Sequence, residues 1–156
     1  MTDGPRDPAA EFVERFATEM TESGLPRMAS RVLARLLAAD EGACTSAELV
    51  ESLQASPAAI SGAVRYLSQL RLVARDRRPG ERRDTYRLHD KVWYEALGMR
   101  DDELSRWAAL SREGVAAVGR DSPAGQRLEE TARFFEFLRT ELAAMMERWR
   151  QQRDLG

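Results

Sequence analysis

The sequence is short of the residues on which disulfide, metal and most catalytic chemistry depends. Its 156 residues contain one cysteine, Cys44, and one histidine, His89. A single cysteine excludes an intramolecular disulfide, and the two residues together argue against a Cys/His metal site. Neither a glycine-rich phosphate loop nor a nucleophile elbow occurs. The sequence therefore predicts a protein that is not an enzyme and that needs no metal and no cofactor.

Long apolar runs are also missing. No stretch approaches the roughly 18 uninterrupted apolar residues of a membrane span, and residues 1–10 lack the charged and apolar regions of a signal peptide. Apolar residues make up 43% of the chain and charged residues 32%, which is typical of globular proteins. We expect a soluble cytoplasmic protein with one domain, or with one small domain and an accessory element.

Positive charge is scarce overall but concentrated in one segment. The net charge is −2, and 23 arginines accompany a single lysine. Between Pro57 and Lys91, nine basic residues oppose four acidic ones, so this window carries +5 and the remainder carries −7. A local field of one sign, rather than the total charge, decides which polyanion docks and where. The alternative to a polyanion-binding surface is a solvated, arginine-rich loop with no binding role.

Apolar residues recur at helical spacing along most of the chain. Thr45 and Glu48 form a capping box, and Ser56 followed by Pro57 is a second cap. A break at Gly98 stays open. Two short helices that are joined by a tight turn, with small residues at the start of the second, are typical of a helix-turn-helix that enters the DNA major groove. The predicted helices are residues 7–22, 26–37, 46–54, 57–70, 90–118 and 124–152.

After residue 70 the apolar pattern changes from helical to alternating. Residues 72–76 and 84–88 are predicted strands, and the loop 77–83 contains the turn signal Pro79-Gly80. A β-hairpin directly after a helix-turn-helix is a wing. Its tip is rich in arginine, which suits DNA phosphates or a narrow minor groove. The wing arginines are Arg77, Arg78, Arg82 and Arg83.

Residues 80–88 have the sequence Gly-Glu-Arg-Arg-Asp-Thr-Tyr-Arg-Leu and follow a Ser-Pro-capped helix. This combination resembles MarR-type winged helix-turn-helix regulators, closest to their GbsR-like branch. The resemblance implies a mainly α fold with a small β-hairpin wing. It implies a DNA-binding domain at residues 25–90 and dimerisation regions at 1–24 and 91–156. Arg71 stands where such sequences commonly have glycine. Because a left-handed backbone costs a non-glycine residue on the order of 1 kcal/mol, we expect this helix to end differently.

The resemblance further implies a homodimer that binds double-stranded DNA and is associated with the nucleoid. The four wing arginines would contact the DNA backbone or minor groove, although Arg82 and Arg83 could instead form salt bridges with Glu81 and Asp84. The residues that it places in the major groove are Ser56, Pro57, Ala58, Ser61 and Arg65.

The last predicted helix carries apolar residues seven apart, which is a coiled-coil-like seam. Together with the first helix it supplies the residues expected at the dimer interface. These are Phe12, Phe16, Leu128, Phe135, Leu138, Leu142, Met145 and Trp149. A second aromatic set either lines a pocket for a small-molecule effector, as the resemblance implies, or packs in the core and the dimer interface. That set is Trp93, Tyr94, Trp107, Phe134 and Phe135.

The sequence thus predicts a dimeric, sequence-specific DNA-binding regulator, more a repressor than an activator, that reads a pseudo-palindromic operator. The alternative is a winged-helix module that binds an acidic protein partner, because a fold does not determine a function. Cys44 has Glu41 nearby and no adjacent cation, which disfavours a redox-sensing thiolate.

Overall fold

The computed structural model describes residues 7–77, 80, 82–89 and 92–155, and excludes from that description the side chains of residues 92 and 94–99. The chain divides into two compact units, residues 1–95 and 96–156. In chain order the elements are α1 (Pro8–Glu22), α2 (Arg27–Leu37), β1 (Ala43–Thr45), α3 (Ser46–Leu53), α4 (Pro57–Gln69), β2 (Val73–Asp76), β3 (Thr85–Leu88), α5 (Val92–Val118) and α6 (Pro123–Asp154).

The described residues confirm the predicted fold class, which is mainly helical with a small wing. The sheet has three antiparallel strands in the order β1-β3-β2, one strand more than the predicted hairpin. Cys44 of β1 and Arg75 of β2 both lie opposite Tyr86 of β3. The sequence pattern missed β1 because three residues are too few to show alternation, and Thr45 is also the N-cap of α3.

The first unit has a core that its helices and strands build together. Apolar residues of α2 at positions 32, 33 and 36 are fully buried, and those of α3 and α4 face them. This is the one-sided burial that helical spacing predicts. The largest fully buried side chains are Leu33, Leu36, Leu49, Ile60, Leu67, Val32 and Val73.

The predicted caps of α3 and α4 are confirmed. The Thr45 hydroxyl accepts the N–H of Glu48 at 3.2 Å, and the Glu48 carboxylate accepts the N–H of Thr45 at 2.7 Å. The Ser56 hydroxyl accepts the N–H of Ala59 at 3.1 Å, with Pro57 at the first helical position. These bonds occupy donors that a helix N-terminus otherwise leaves unpaired. The two caps therefore define where both helices of the helix-turn-helix begin.

The end of α4 corrects the expectation for Arg71. This residue adopts the left-handed conformation, with φ +55°. The N–H of Arg71 donates to the carbonyl of Ser68 at 3.1 Å, and that of Leu72 donates to Leu67 at 3.0 Å, which is the Schellman arrangement. Leu67 and Leu72 are both buried. The expectation that this helix ends differently is wrong, because burial of these two leucines holds arginine in the glycine-type turn.

The second unit is built from residues 96–118 of α5 and from α6. Helix α5 runs without a break through Gly98, so the interruption left open at that position does not occur. A Cβ built on Gly114 would lie 2.9 Å from a methyl of Leu128, which shows how closely the helices approach. Arg112 bonds Glu129 at 3.1 Å and Glu136 at 2.6 Å across the same contact.

Within the described ranges no helix combines the length and the apolar character that crossing a membrane requires.

Candidate nucleic-acid interface

Helix α4 presents one buried face and one exposed face, as the sequence predicted. Its core line is Ile60, Ala63, Val64 and Leu67. The residues predicted to face the major groove are all exposed: Ser56, Pro57, Ala58, Ser61 and Arg65. Most of these side chains are small, which leaves room for a groove edge to approach the backbone.

The first turn of α4 leaves one backbone N–H group available to a ligand. Pro57 has no N–H, the N–H of Ala59 bonds the Ser56 hydroxyl, and that of Ile60 bonds the Ser56 carbonyl at 3.1 Å. The N–H of Ala58 makes no hydrogen bond to any residue that the structure describes. Since a helix N-terminus also carries partial positive charge, this donor suits a phosphate oxygen.

The wing carries arginines of two kinds. Arg75 donates to Asp84 at 2.6 Å, and Arg77 lies 3.6 Å from the same carboxylate. Arg82 and Arg83 are exposed and form no ion pair with any described residue. The carboxylate of Asp84 pairs with Arg75 and Arg77 instead. Arg78, another predicted contact residue, and Glu81 lie outside the described residues.

Asp84 organises the base of the wing, a role that sequence reasoning missed. The hydrogen bond from Arg75 lowers the pKa of the Asp84 carboxyl, and the charges of Arg75 and Arg77 lower it further. The Asp84 carbonyl also accepts the N–H of Ser46 at 3.0 Å, which ties the wing to the start of α3. The sequence shows an aspartate among arginines, but it does not show which arginine the aspartate pairs with.

Sequence reasoning also missed a second residue whose contacts hold the wing in place. Arg87 of β3 donates to the carbonyl of Glu41 at 3.0 Å and lies 4.0 Å from Asp76. Hydrogen bonds thus hold Arg75 and Arg87 within the protein, whereas Arg77 makes no hydrogen bond to a described residue and 69% of its side chain is exposed. Among the described wing residues, Arg77, Arg82 and Arg83 therefore remain accessible to a polyanion.

Cys44 is buried at 3% exposure. Burial raises the pKa of its thiol, and the charge of Glu48 raises it further against the opposing effect of Arg35. Burial therefore disfavours the thiolate, but the charges near the thiol are Arg35 and Glu48, whereas the sequence suggested Glu41 and no cation. No group of three or more His, Cys, Asp or Glu residues in the described ranges could hold a metal ion.

Three of the five aromatic residues of the predicted effector pocket lie close together within the second unit. The rings of Trp107 and Phe135 lie 5.5 Å apart, and those of Phe134 and Phe135 lie 6.0 Å apart. Trp93 belongs to the other unit, and the side chain of Tyr94 lies outside the described residues. The pocket stays a prediction.

The predicted dimer residues of α6 fall into three groups that differ in burial. Leu128 packs on Gly114, and Phe135 packs on Trp107, so both contact α5. Leu138 and Leu142 are half-buried. Met145 and Trp149 are exposed, and so are Phe134 and Phe137 of the same helix.

On α1, Phe12 is exposed and Phe16 is half-buried. Their rings lie 5.6 Å apart. Apolar surface therefore remains open on both helices.

Comparison with known proteins agrees with this architecture. A MarR family model matches residues 23–84, and a model of MmpR5-like MarR family transcriptional regulators matches residues 91–152. The HTH-type transcriptional regulator MmpR5 of Mycobacterium tuberculosis (strain ATCC 25618 / H37Rv) is 28% identical over 143 residues, which are 91% of this chain and 87% of that protein. A crystal structure of a transcriptional regulator superposes with a TM-score of 0.82 at 27% identity, covering 93% of this chain and 99% of the other.

The two family models together cover both the helix-turn-helix and the long C-terminal helices, and the superposed regulator aligns with most of the same residues. In both of these parts the chain is similar to MarR family winged-helix proteins, and the proteins that it resembles are transcriptional regulators rather than enzymes.

Proposed function

We propose that this protein is a homodimeric repressor that reads a pseudo-palindromic operator in double-stranded DNA with α4 and the arginine-rich wing. The observation that carries the proposal is the exposed, small-residue first turn of α4, followed directly by a wing with two exposed arginines, Arg82 and Arg83. The similarity of the chain to MarR family transcriptional regulators supports it. The placement in the GbsR-like branch stays a prediction.

The two elements would contribute differently to binding. Arg82 and Arg83, with Arg77 and Arg78 of the same loop, would neutralise phosphates, which supplies affinity that falls with salt but carries no sequence information. Ser61 and Arg65 on the exposed face of α4 would contact base edges. The N–H of Ala58 would bind a phosphate and set the depth at which α4 enters the groove.

Dimerisation would place two copies of α4 on successive turns of the duplex. Half-sites read by such dimers lie roughly 10 bp apart, one helical turn. The open apolar residues on α1 and α6 support an interface that two copies bury together. A protein that acts on chromosomal DNA in this way would work in the cytoplasm at the nucleoid.

The wing is tested by a salt titration. A duplex is first selected from a random library with the wild-type protein, and binding is then followed by fluorescence anisotropy. Replacing Arg82 and Arg83 with alanine should weaken binding to every duplex and reduce the slope of log K against log salt by about 2, or roughly one for each lost phosphate contact. The control, Arg133→Ala with Arg148→Ala, removes the same number of positive charges from exposed positions of α6. An unchanged slope in the wing variant would refute the assignment.

The reading face of α4 needs a separate measurement. Ser61→Ala and Arg65→Ala should change which bases the selection enriches, whereas Ser68→Ala, exposed at the far end of the helix, should not. Equal loss of affinity on every duplex would contradict base recognition.

The sign of regulation is tested in cells. Deleting the gene should raise transcription of the genes next to the selected sites, and a fall would indicate an activator. Should the wild-type protein enrich no sequence at all, the alternative of a winged-helix module for an acidic protein partner would replace the proposal.

A further inference from the structure

Arg31 of α2 connects three helices through one guanidinium group. Its Nε donates to Glu14 Oε1 at 2.9 Å, and its Nη2 donates to the same oxygen at 2.7 Å. Nη2 also donates to the backbone carbonyl of Leu53 at 3.0 Å. Only 19% of the Arg31 side chain is exposed. The contact therefore joins α1, α2 and the last residue of α3 in a largely enclosed place.

The carbonyl of Leu53 is one that α3 cannot satisfy itself. The last four carbonyls of a helix have no partner within it. In α3, the carbonyls of Val50 and Glu51 accept the N–H groups of Ala55 and Gln54 at 3.2 and 3.3 Å. Arg31 provides the donor for Leu53. Its positive charge lies at the negative end of the helix dipole, where such a bond is strong.

This carbonyl is also where the turn of the helix-turn-helix begins. Gln54 takes the left-handed conformation, with φ +50°, and Ser56 caps α4 two residues later. The position of the Leu53 peptide group therefore sets the path by which the chain enters the first turn of α4. Because Leu53 is itself buried, Arg31 and the core hold this peptide from two sides.

We infer that Arg31 is a positioning residue that holds the first turn of α4 in the geometry required for reading DNA, and that Glu14 links this geometry to α1. The inference rests on the proposed function. A planar guanidinium can bond a carboxylate and a carbonyl at once, whereas a lysine ammonium on its flexible stem does not reproduce that geometry. Since α1 also carries Phe12 and Phe16, the link would join the reading helix to the proposed dimer interface.

The test compares Arg31→Lys with Arg27→Lys. Arg27 lies one turn earlier on the same helix and is exposed, and both variants keep the net charge. The first readout is amide hydrogen exchange, which needs no DNA. Exchange at Gln54 and Ala55 should be faster in Arg31→Lys than in the wild type, and unchanged in Arg27→Lys. Equal protection in all three proteins would overturn the inference.

The second readout is the ratio of affinities for the selected duplex and for a scrambled duplex of equal length. In Arg31→Lys the affinity for the selected duplex should fall by about tenfold, the size of one lost base contact. The affinity for the scrambled duplex should stay within about twofold, because phosphate contacts supply it. An equal fall on both duplexes would mean that Arg31 is only structural, and the inference would be wrong.

A second variant keeps the test decisive if Arg31→Lys does not fold. Glu14→Gln leaves Arg31 and its bond to Leu53 in place but weakens its orientation, so the same ratio should fall by a smaller factor. Glu19→Gln, which is exposed on the same helix, should leave it unchanged. If the wild-type protein selects no sequence, the proposed function fails, and the exchange rates at Gln54 and Ala55 still decide whether Arg31 positions the turn.

Discussion

Arg71 holds a backbone conformation that glycine adopts at lower cost. Its φ of +55° places Cβ against the following carbonyl oxygen, which costs about 1–2 kcal/mol. Glycine removes that clash, but it also gives the unfolded chain more conformational freedom. That freedom lowers the free energy of unfolding by about 0.4–1 kcal/mol. We expect Arg71→Gly to raise the free energy of unfolding by a net of about 0.5–1 kcal/mol, measured by urea denaturation.

The control for Arg71→Gly is Gln69→Gly, two residues earlier. Gln69 is also exposed, but as the last residue of α4 it does not take the left-handed conformation. Glycine there should lower the free energy of unfolding by about 0.5–1 kcal/mol. If both variants were destabilised equally, the backbone strain assigned to Arg71 would be absent.

Asp84 should make the stability of the wing depend on acid pH. Its pKa in the folded protein lies below the ordinary value because Arg75 hydrogen-bonds the carboxylate. A carboxyl with a lowered folded pKa contributes its full stabilisation above its unfolded pKa of about 4 and loses it as pH falls through the folded value. Wild-type protein should therefore lose stability below about pH 4 more steeply than Asp84→Asn does.

The partner assignment can be checked on the same carboxyl. NMR titration of Asp84 should show a higher pKa in Arg75→Gln than in the wild type, because the hydrogen bond that lowers it is gone. A pKa that does not move would mean that Arg75 is not the group responsible.

At the scale of one element, the Ser56 cap is a separable part of α4. Replacing a serine N-cap with alanine costs about 1 kcal/mol, because one N–H of the first turn loses its acceptor. We expect Ser56→Ala to lower the free energy of unfolding by that amount, measured by urea denaturation. Ser61→Ala, in an exposed position of the same helix, should be close to neutral, and equal effects would show that the cap contributes nothing.

Elements with a strong local pattern were predicted to within a few residues, and weak ones were not. Helix α4 was predicted at residues 57–70 and spans Pro57–Gln69, since the Ser56 cap, Pro57 and the apolar spacing all mark it locally. Strand β1 has three residues and forms only because β3 pairs with it. The left-handed end at Arg71 was missed for a similar reason, because burial of Leu67 and Leu72 outweighs local preference.

At the scale of the whole molecule, α6 has more apolar surface than one partner helix covers. Leu128 and Phe135 contact α5 and Ala132 is fully buried, whereas Phe134 is 56% exposed and Phe137 is 61% exposed. If two copies bury this second face, Phe134→Glu with Phe137→Glu should convert the dimer to a monomer. Sedimentation at micromolar concentration measures the change.

Thr140→Glu is the matched control for that experiment. It adds a carboxylate at another exposed position of α6 and should leave the dimer intact. A wild-type protein that sediments as a stable monomer would contradict the dimer altogether. A double variant that stays dimeric would place the interface elsewhere.

The sequence by itself determined the order of helices, the caps at Thr45 and Ser56, the exposed face of α4 and the basic wing. Each of these depends on residues within a few positions of one another, and short-range spacing records them. Only the tertiary structure decided which acid each arginine meets. Arg31 lies 17 residues from Glu14 and 22 from Leu53, and contacts over such separations exist only after the core of α1, α2 and α3 has packed.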